Sequence, residues 1–299
     1  MQNKVNYIKY LAKIMDSLVK HYGQWLPDSI YIKLRYQFQM GQSLDLKNPR
    51  TFNEKLQWLK LHDRNPEYTK LVDKILVKDY VSSVLGPEFV IPLLGVWEKP
   101  EDIEWDSLPN KFVLKTNHSG GNTGVVICKD RCTFDRMNAI KLLNASLKED
   151  IYRNLREWPY KDVKKRVFAE QYINPNPGAT DLHDYKFFCF NGAVKYFKID
   201  FDRQNNHHAN YYNREGNLMP FGEQAFAPIP CKAIEIPANL NQMIMLAEVI
   251  AQGKRFVRVD FYNVNGHIYF GEITFYPAGG MGQFIPKEWD NKLGQLLKL

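Results

Sequence analysis

No stretch of this chain approaches the ~20 consecutive apolar residues that a bilayer crossing requires. The opening, Met1 to Asp16, is too interrupted by charge to serve as the hydrophobic segment of a secretory leader, so a cytoplasmic location is expected. Cysteine is scarce. Cys128, Cys132, Cys189 and Cys231 form neither a disulfide framework nor a zinc spacing, and Cys128 and Cys132 read as two buried or half-buried thiols. No Gly-Lys-Ser/Thr follows the glycine-rich stretch near residue 120, which excludes a P-loop. Internal repeats are absent, and the first 70 residues lack alternating strands, so they do not build a dinucleotide-type domain. What remains is an ordinary globular composition. Hydrophobic residues are 44% and aromatics 14% of 299, enough for a full core and two or three subdomains.

The net charge of +7 is unevenly spread. Residues 1–70 hold nine lysines and three arginines against six acids, an excess of six. Such a surface attracts phosphate of any origin, whether nucleic acid, anionic lipid or phosphorylated substrate. Val5, Ile8, Leu11, Met15, Leu18, Val19 and Tyr22 recur at helical spacing, with Lys4, Lys9, Lys13 and Lys20 elsewhere on the wheel. Two readings stay open: a helix packed on the core with a solvated basic side, which is favoured, or one lying on a membrane surface.

Further helices are expected over 29–40 and 51–62, the second opened by a Thr51/Glu54 capping box. Another runs over 72–85 and stops at Gly86-Pro87. Strands follow at 90–96, 112–116 and 125–129, then a long helix capped by Thr133 and running to about Trp158. Strands at 166–173, 185–190, 194–201, 256–262 and 267–275 complete the reading. Boundaries near 70 and 173 divide the chain into a helical region (1–70) and two α+β segments (71–173 and 174–299).

Two constellations carry chemistry. The first is Phe112-Val113-Leu114-Lys115 followed by Ser119-Gly120-Gly121-Asn122-Thr123-Gly124: strand, lysine, flexible glycine segment, strand. Glycines let backbone N–H groups close around phosphate oxygens, and a lysine at a strand end fixes a positive charge. An ordinary hairpin turn would look the same. The second is Arg258-Val259-Asp260 and Glu272-Ile273-Thr274 on two strands flanking Asn265-Gly266. Two converging carboxylates are hard oxygen donors of the kind magnesium takes.

Parity tests that idea. A two-residue turn pairs 260 with 271 and puts Asp260 and Glu272 on opposite faces. A three-residue loop pairs 260 with 270 and 258 with 272, bringing them together. A shared metal therefore requires an odd loop or a bulge. Between the constellations, Glu170-Gln171-Tyr172-Ile173 suits an adenine edge. Asp184 and Lys186 alternate onto one face, suited to a ribose hydroxyl and a phosphate.

In order and spacing, Lys74, Lys115 with its glycine segment, Glu170 to Ile173, Asp184-Tyr185-Lys186, Arg258-Val259-Asp260 and Glu272-Ile273-Thr274 resemble the ATP-grasp ligases. Upstream, Tyr31 to Tyr36, Gly41 to Pro49, Thr51 to Leu59, Asp63 to Pro66 and Leu71 to Lys74 resemble the teichuronopeptide-biosynthesis-type ATP-grasp proteins found among cell-surface polysaccharide genes. The resemblance covers roughly residues 25–290. It implies an α+β ATP-grasp fold behind a helical N-terminal region, with ATP and Mg2+ as cofactors.

By that resemblance Lys74 and Lys115 hold the α- and β-phosphates, and residues 119–124 close over the β/γ end. Gln171 and Ile173 meet adenine beside Glu170, Asp184 takes the ribose, and Lys186 reaches the γ-phosphate. Asp260 and Glu272 bind magnesium, and Arg258 holds the oxyanion. Thr274 stands where the family usually has Asn, which leaves the second metal open. The implied activity is carboxylate–amine ligation through an acyl phosphate, for instance of a uronic acid with an amino compound. Its partners are a small-molecule or saccharide carboxylate and an amine, with no nucleic acid among them. A kinase, or a non-catalytic partner touching the inner membrane face through the basic N-terminal region, are the alternatives. Residues 203–226 read either as a sugar or amino-acid pocket or as a polar connection.

Overall fold

The structure is a computed structural model that describes residues 2–121, 123–176, 182–202, 206–232 and 234–299. α1 (Gln2–Tyr22) packs on α2 (Asp28–Met40), which ends where Gly41 turns left-handed and donates to Gln37 O. α1 does not bury the apolar side expected for a core helix. Its half-buried seam is Ala12, Asp16 and Val19, while Leu11, Ile14, Met15 and Leu18 face solvent. The reason is electrostatic: Asp16 pairs with Arg35 and accepts from Gln39, which turns the Ala12–Asp16–Val19 side of α1 toward α2.

α3 (Phe52–His62) opens with the capping box read from the sequence, Thr51 Oγ1 accepting from Glu54 N and Glu54 Oε2 from Thr51 N. The helix expected over 72–85 is α5 alone (Leu76–Val84), separated from α4 (Glu67–Val72) ahead of it. Asp73 divides the two, because its Oδ1 accepts the N–H groups of Ile75 (2.9 Å) and Leu76 (3.3 Å) and holds Lys74 in a turn.

β1 (Leu93–Trp97), β2 (Phe112–Thr116), β3 (Val125–Cys128) and β4 (Val167–Gln171) form an antiparallel sheet in the order β1-β4-β2-β3. The single helix expected between β3 and β4 is split into α6 (Arg136–Lys148) and α7 (Ile151–Leu155), each capped by an aspartate. Asp135 accepts from Asn138 N and Asp150 from Arg153 N; Thr133 caps neither. α6 covers one face of the sheet with Ala139 and Leu143 against Phe112, Leu114, Val167 and Ala169. The other face is left to Lys115 and Glu170.

The second sheet runs β10-β9-β5-β6-β7, all antiparallel, from β5 (Asp184–Phe190), β6 (Ala193–Phe201), β7 (His208–Asn213), β9 (Phe256–Val264) and β10 (His267–Thr274). Between β7 and β9 lie β8 (Gly222–Glu223) and α8 (Leu240–Ala251); β8 pairs with β11 (Phe284–Ile285), and α9 (Glu288–Leu296) closes the fold. α8 packs on β5, β6 and β9 over rings such as Phe187, stacked on Phe197 at 5.4 Å. β7, α8 and α9 escaped the sequence reading. In the run Leu240 to Ala251 the buried Leu240, Met243, Ile244, Ala247, Ile250 and Ala251 recur at helical spacing, so this helix was legible and was passed over. Lys55 on α3 joins α9 by donating to the Gly294 and Leu297 carbonyls, at 2.8 and 2.7 Å. The α+β architecture with a helical region ahead of two sheets is the one expected.

Candidate active site

The β9–β10 hairpin turns on two residues, Asn265 and Gly266, both at positive φ (52° and 82°), the conformation that suits a tight hairpin. Val264 pairs with His267 and Phe261 with Phe270, a register that alone would send Glu272 to the wrong face. A bulge at Gly271 corrects it. Pairing resumes at Asp260↔Glu272 and Arg258↔Thr274, so the four polar groups share a face through the extra residue rather than an odd loop. A side chain at Gly271 would press on Asp260 O, which lies 3.1 Å from where its Cβ would stand.

Neighbouring strands extend that face. Lys186 lies opposite Asp260 on one side and Lys198 on the other, and Asp184 lies opposite Asp200. Arg258 donates from Nε to Asp260 Oδ1 (2.7 Å) and from Nη2 to Asp260 Oδ2 (2.6 Å), Glu272 Oε1 (2.9 Å) and Thr274 Oγ1 (3.0 Å). Lys186 Nζ donates to Asp260 Oδ2 at 2.6 Å and to Asp184. Burial works against the Lys186 ammonium, but Asp184 and Asp260 overcome it and raise its pKa, so it stays charged. Burial likewise opposes the Glu272 carboxylate, yet Lys74, Arg258 and Lys186 hold it down to about 2.

The first sheet, α5 and the turn before α5 present further cations. Lys115 pairs with one oxygen of Glu170 and Lys78 with the other, at 3.0 Å for Lys78. Burial disfavours the Glu170 carboxylate, and the two lysines still lower its pKa. Lys74 is the bridge between sheets: its Nζ donates to the Ser119 carbonyl and lies 3.5 Å from Glu272 Oε2. Asp73 steadies that lysine from beneath, accepting from Asn117 Nδ2 at 2.8 Å, with Arg166 at 3.4 Å. Gly124, at φ 71°, is required by contact, since a Cβ there would fall 2.2 Å from Ser146 Oγ. Gly120 and Gly121 stand open, with room for a side chain at either.

Lys74, Lys115, Ser119, Lys186, Arg258, Asp260, Glu272 and Thr274 are thus brought to one region, joined by the pairs just described. Gly120, Gly121, Thr123 and Gly124 continue from Ser119; Asn122 lies outside the described residues. Glu170 is turned to its two lysines. The Gln171 N–H is already engaged with the Pro92 carbonyl at 3.0 Å, so an adenine edge would have to use other backbone atoms of 171–173.

Three things escaped the sequence reading. Lys78 lay unmarked in a helix. Asp73, Asn117 and Arg166 are far apart in the chain. The network of Lys198, Glu223, Tyr211, Asp200 and His207 fills the β6–β7 end, Lys198 Nζ donating to Glu223 at 2.8 Å and Tyr211 Oη to Glu223 at 2.6 Å, with His207 Nε2 3.3 Å from Asp200. Lys198-Ile199-Asp200 repeats the alternation of Asp184-Tyr185-Lys186 and was legible; Glu223 was not. The 203–226 stretch supplies strand β7 and the His207, Tyr211 and Glu223 members of this network, and residues 203–205 lie outside the described ones.

Among the described residues no group of three or more His, Cys, Asp and Glu makes a metal site by itself. Asp260 and Glu272, paired across two strands, fit a magnesium ion that takes few protein oxygens and leaves the rest to water and phosphate.

The sequence profile of the TupA-like ATPgrasp family matches residues 54–298. No curated protein matches the chain. Among solved structures, D-alanine–D-alanine ligase from Bacillus anthracis complexed with ATP is 18% identical with a TM-score of 0.44, covering 76% of this chain and 63% of that one. An ADP complex of N5-carboxyaminoimidazole ribonucleotide synthetase is 16% identical (TM-score 0.44; 74% and 50% covered). Biotin carboxylase from Campylobacter jejuni is 13% identical (TM-score 0.42; 82% and 47% covered). The chain therefore spans about half to two thirds of these proteins.

Proposed function

The chain belongs to the TupA-like ATP-grasp family, and from that premise we propose that it is an ATP-dependent ligase joining a carboxylate to an amine. The observation that carries the proposal is the double contact of Lys74, with the Ser119 carbonyl on one side and Glu272 on the other. It places the glycine segment and the acid-bearing hairpin against one charged space. In this reading Lys74 and Lys115 take the α- and β-phosphates and residues 119–124 close over the β/γ end. Gln171 and Ile173 flank adenine, Asp184 the ribose, and Lys186 the γ-phosphate. Magnesium, held by Asp260 and Glu272 with Thr274 beside them, would offset phosphate charge when bound.

The chemistry has two steps. A carboxylate oxygen of the substrate attacks the γ-phosphorus of ATP; the bond to ADP breaks, and an acyl phosphate forms. Catalysis here is mostly positioning and charge neutralisation, which Lys186 and the other cations supply. The amine nitrogen then attacks the acyl carbon, phosphate leaves, and a proton is released. In this reading Arg258, which holds two carboxylates and a hydroxyl, also steadies the oxyanion, a contribution of about 3 kcal/mol for one such donor. The carboxylate is taken to be a uronic acid of a cell-surface polysaccharide precursor, and the setting the cytoplasmic side of the membrane.

Hydroxylamine trapping tests this. With ATP, magnesium and a panel of uronic acids and amino acids, an acyl hydroxamate should accumulate with ADP. A phosphorylated product stable to hydroxylamine would replace the ligase reading with a kinase. Lys115→Ala and Asp260→Asn should each lower turnover by about 10²–10³-fold with the circular dichroism spectrum retained; undiminished turnover would remove these residues from the site.

A further inference from the structure

We propose that α1 and the basic cleft at its C-terminal end form a docking face for an anionic lipid surface. At about 100° per residue, Tyr7, Leu11, Ile14, Leu18 and Tyr22 fall in one stripe roughly 80° wide, flanked by Tyr10 and Met15. All seven are exposed, from 39% at Ile14 to 75% at Tyr22, and Trp25 just beyond the helix is 81% exposed. The seam that touches α2 lies on another side, at Ala12, Asp16 and Val19. A helix held by a narrow seam of Ala12, Asp16 and Val19 with its larger apolar stripe left open is the reverse of a core helix, and contiguous apolar surface of this kind marks an interaction site.

Charge beside the stripe selects the occupant. Lys20 and His21 at the end of α1 form one wall of a cleft of about 420 Å3, with Lys148, Arg153 and Lys165 opposite and only Glu149 and Asp150 as acids. Among the described residues neither Lys20 nor Lys148 has a carboxylate partner. The walls are tied in place. Lys165 Nζ donates to the Leu147 and Glu149 carbonyls, at 3.1 and 2.5 Å, and Arg156 donates to the Gln24 and Arg153 carbonyls, at 2.9 and 2.8 Å. Arg156 also lies over the Tyr31 ring at 4.0 Å, which fastens α7 to the α1–α2 corner.

A nucleic acid would use the cleft and leave the apolar stripe in water. A second copy of this chain would cover the stripe but bring its own lysines toward the cleft. An anionic bilayer satisfies both, apolar side chains entering the acyl boundary while phosphate headgroups meet the cations. The tyrosines and Trp25 are the amphipathic rings that settle at headgroup level. Glu149, on the cleft wall, also meets His118 Nε2 at 3.2 Å through its carbonyl, so the docking face lies one residue layer from Ser119.

Flotation with vesicles tests it, using phosphatidylcholine alone and phosphatidylcholine mixed with phosphatidylglycerol. The protein should float with the mixed vesicles, and far less with the neutral ones or at about 0.5 M salt, where the Debye length shrinks to a few ångströms. Each basic residue near the surface is worth about fivefold in partitioning, so Lys148→Glu with Arg153→Glu should weaken binding at least ~25-fold. Leu11→Ser with Leu18→Ser should weaken it on the order of tenfold. Unchanged thermal melting certifies the fold, and Ile14→Ser with Tyr22→Ser replaces the leucine pair should that one fail to fold. Equal binding to neutral vesicles, or undiminished binding by either double variant, would overturn the proposal. So would a dimer, seen by sedimentation velocity without lipid, that the serine pair dissolves while the wild type ignores vesicles.

Discussion

Glu170 shows how much of this site is built from charges that hold other charges. Its two oxygens each take one lysine, Lys115 and Lys78, in a place only 4% exposed. Across the gap, Asp260 is gripped by Arg258 and Lys186. Removing one member of such a set leaves its partner buried and uncompensated, which is costly even where the intact pair adds little net stability. The same pairs set the acid response. Glu272 is held at about 2 in the folded chain against an ordinary 4.5. Its stabilisation is therefore fully present above about pH 4.5 and lost as pH falls toward 2, worth roughly 3 kcal/mol. Urea unfolding measured from pH 6 to pH 3 should show a steep decline that Glu272→Gln flattens. A wild-type stability indifferent to pH across that range would contradict the pairing.

At the scale of elements, a single glycine decides which face of β10 carries chemistry. With Gly271 deleted, the two-residue turn would impose its register along the whole hairpin. Glu272 would then take the place of Gly271 opposite Asp260, and Ile273 and Thr274 would keep the faces they have now. Retained ATP turnover is therefore expected of the deletion variant; lost turnover in a variant that still folds would show that the bulge does more than set which face Glu272 takes. The α3 start offers a milder case. Thr51→Ala removes one half of a complete capping box and should cost about 1 kcal/mol, read as a shifted urea midpoint with turnover unchanged. These two elements also differ in legibility. The capping box is four consecutive residues with local physics, and it stands where the sequence put it. The bulge is not local: parity reasoning could pose a choice between an odd loop and a bulge, and only pairing against β5 and α8 could make it.

On the scale of the whole molecule, two sheets face each other across a space that Lys74 spans, with a glycine segment open to solvent above it. If that segment closes over nucleotide, ATP with magnesium should protect residues 119–124 from limited proteolysis, and Lys74→Ala should abolish the protection. Cleavage at the same rate with and without ATP would refute closure.

What the sequence by itself determined here is local or periodic: the absence of membrane-spanning runs, the strand pairs, the Asn265-Gly266 turn, and a family order of lysines and acids. What only the tertiary structure decided is which distant groups meet. Lys78 finds Glu170 across 92 positions, and Asp73 finds Asn117 and Arg166. α1 follows the same rule. Its amphipathic spacing was plain, but which side turned inward depended on Asp16 reaching Arg35 on another helix, because helical periodicity carries no information about the partner that a face will meet.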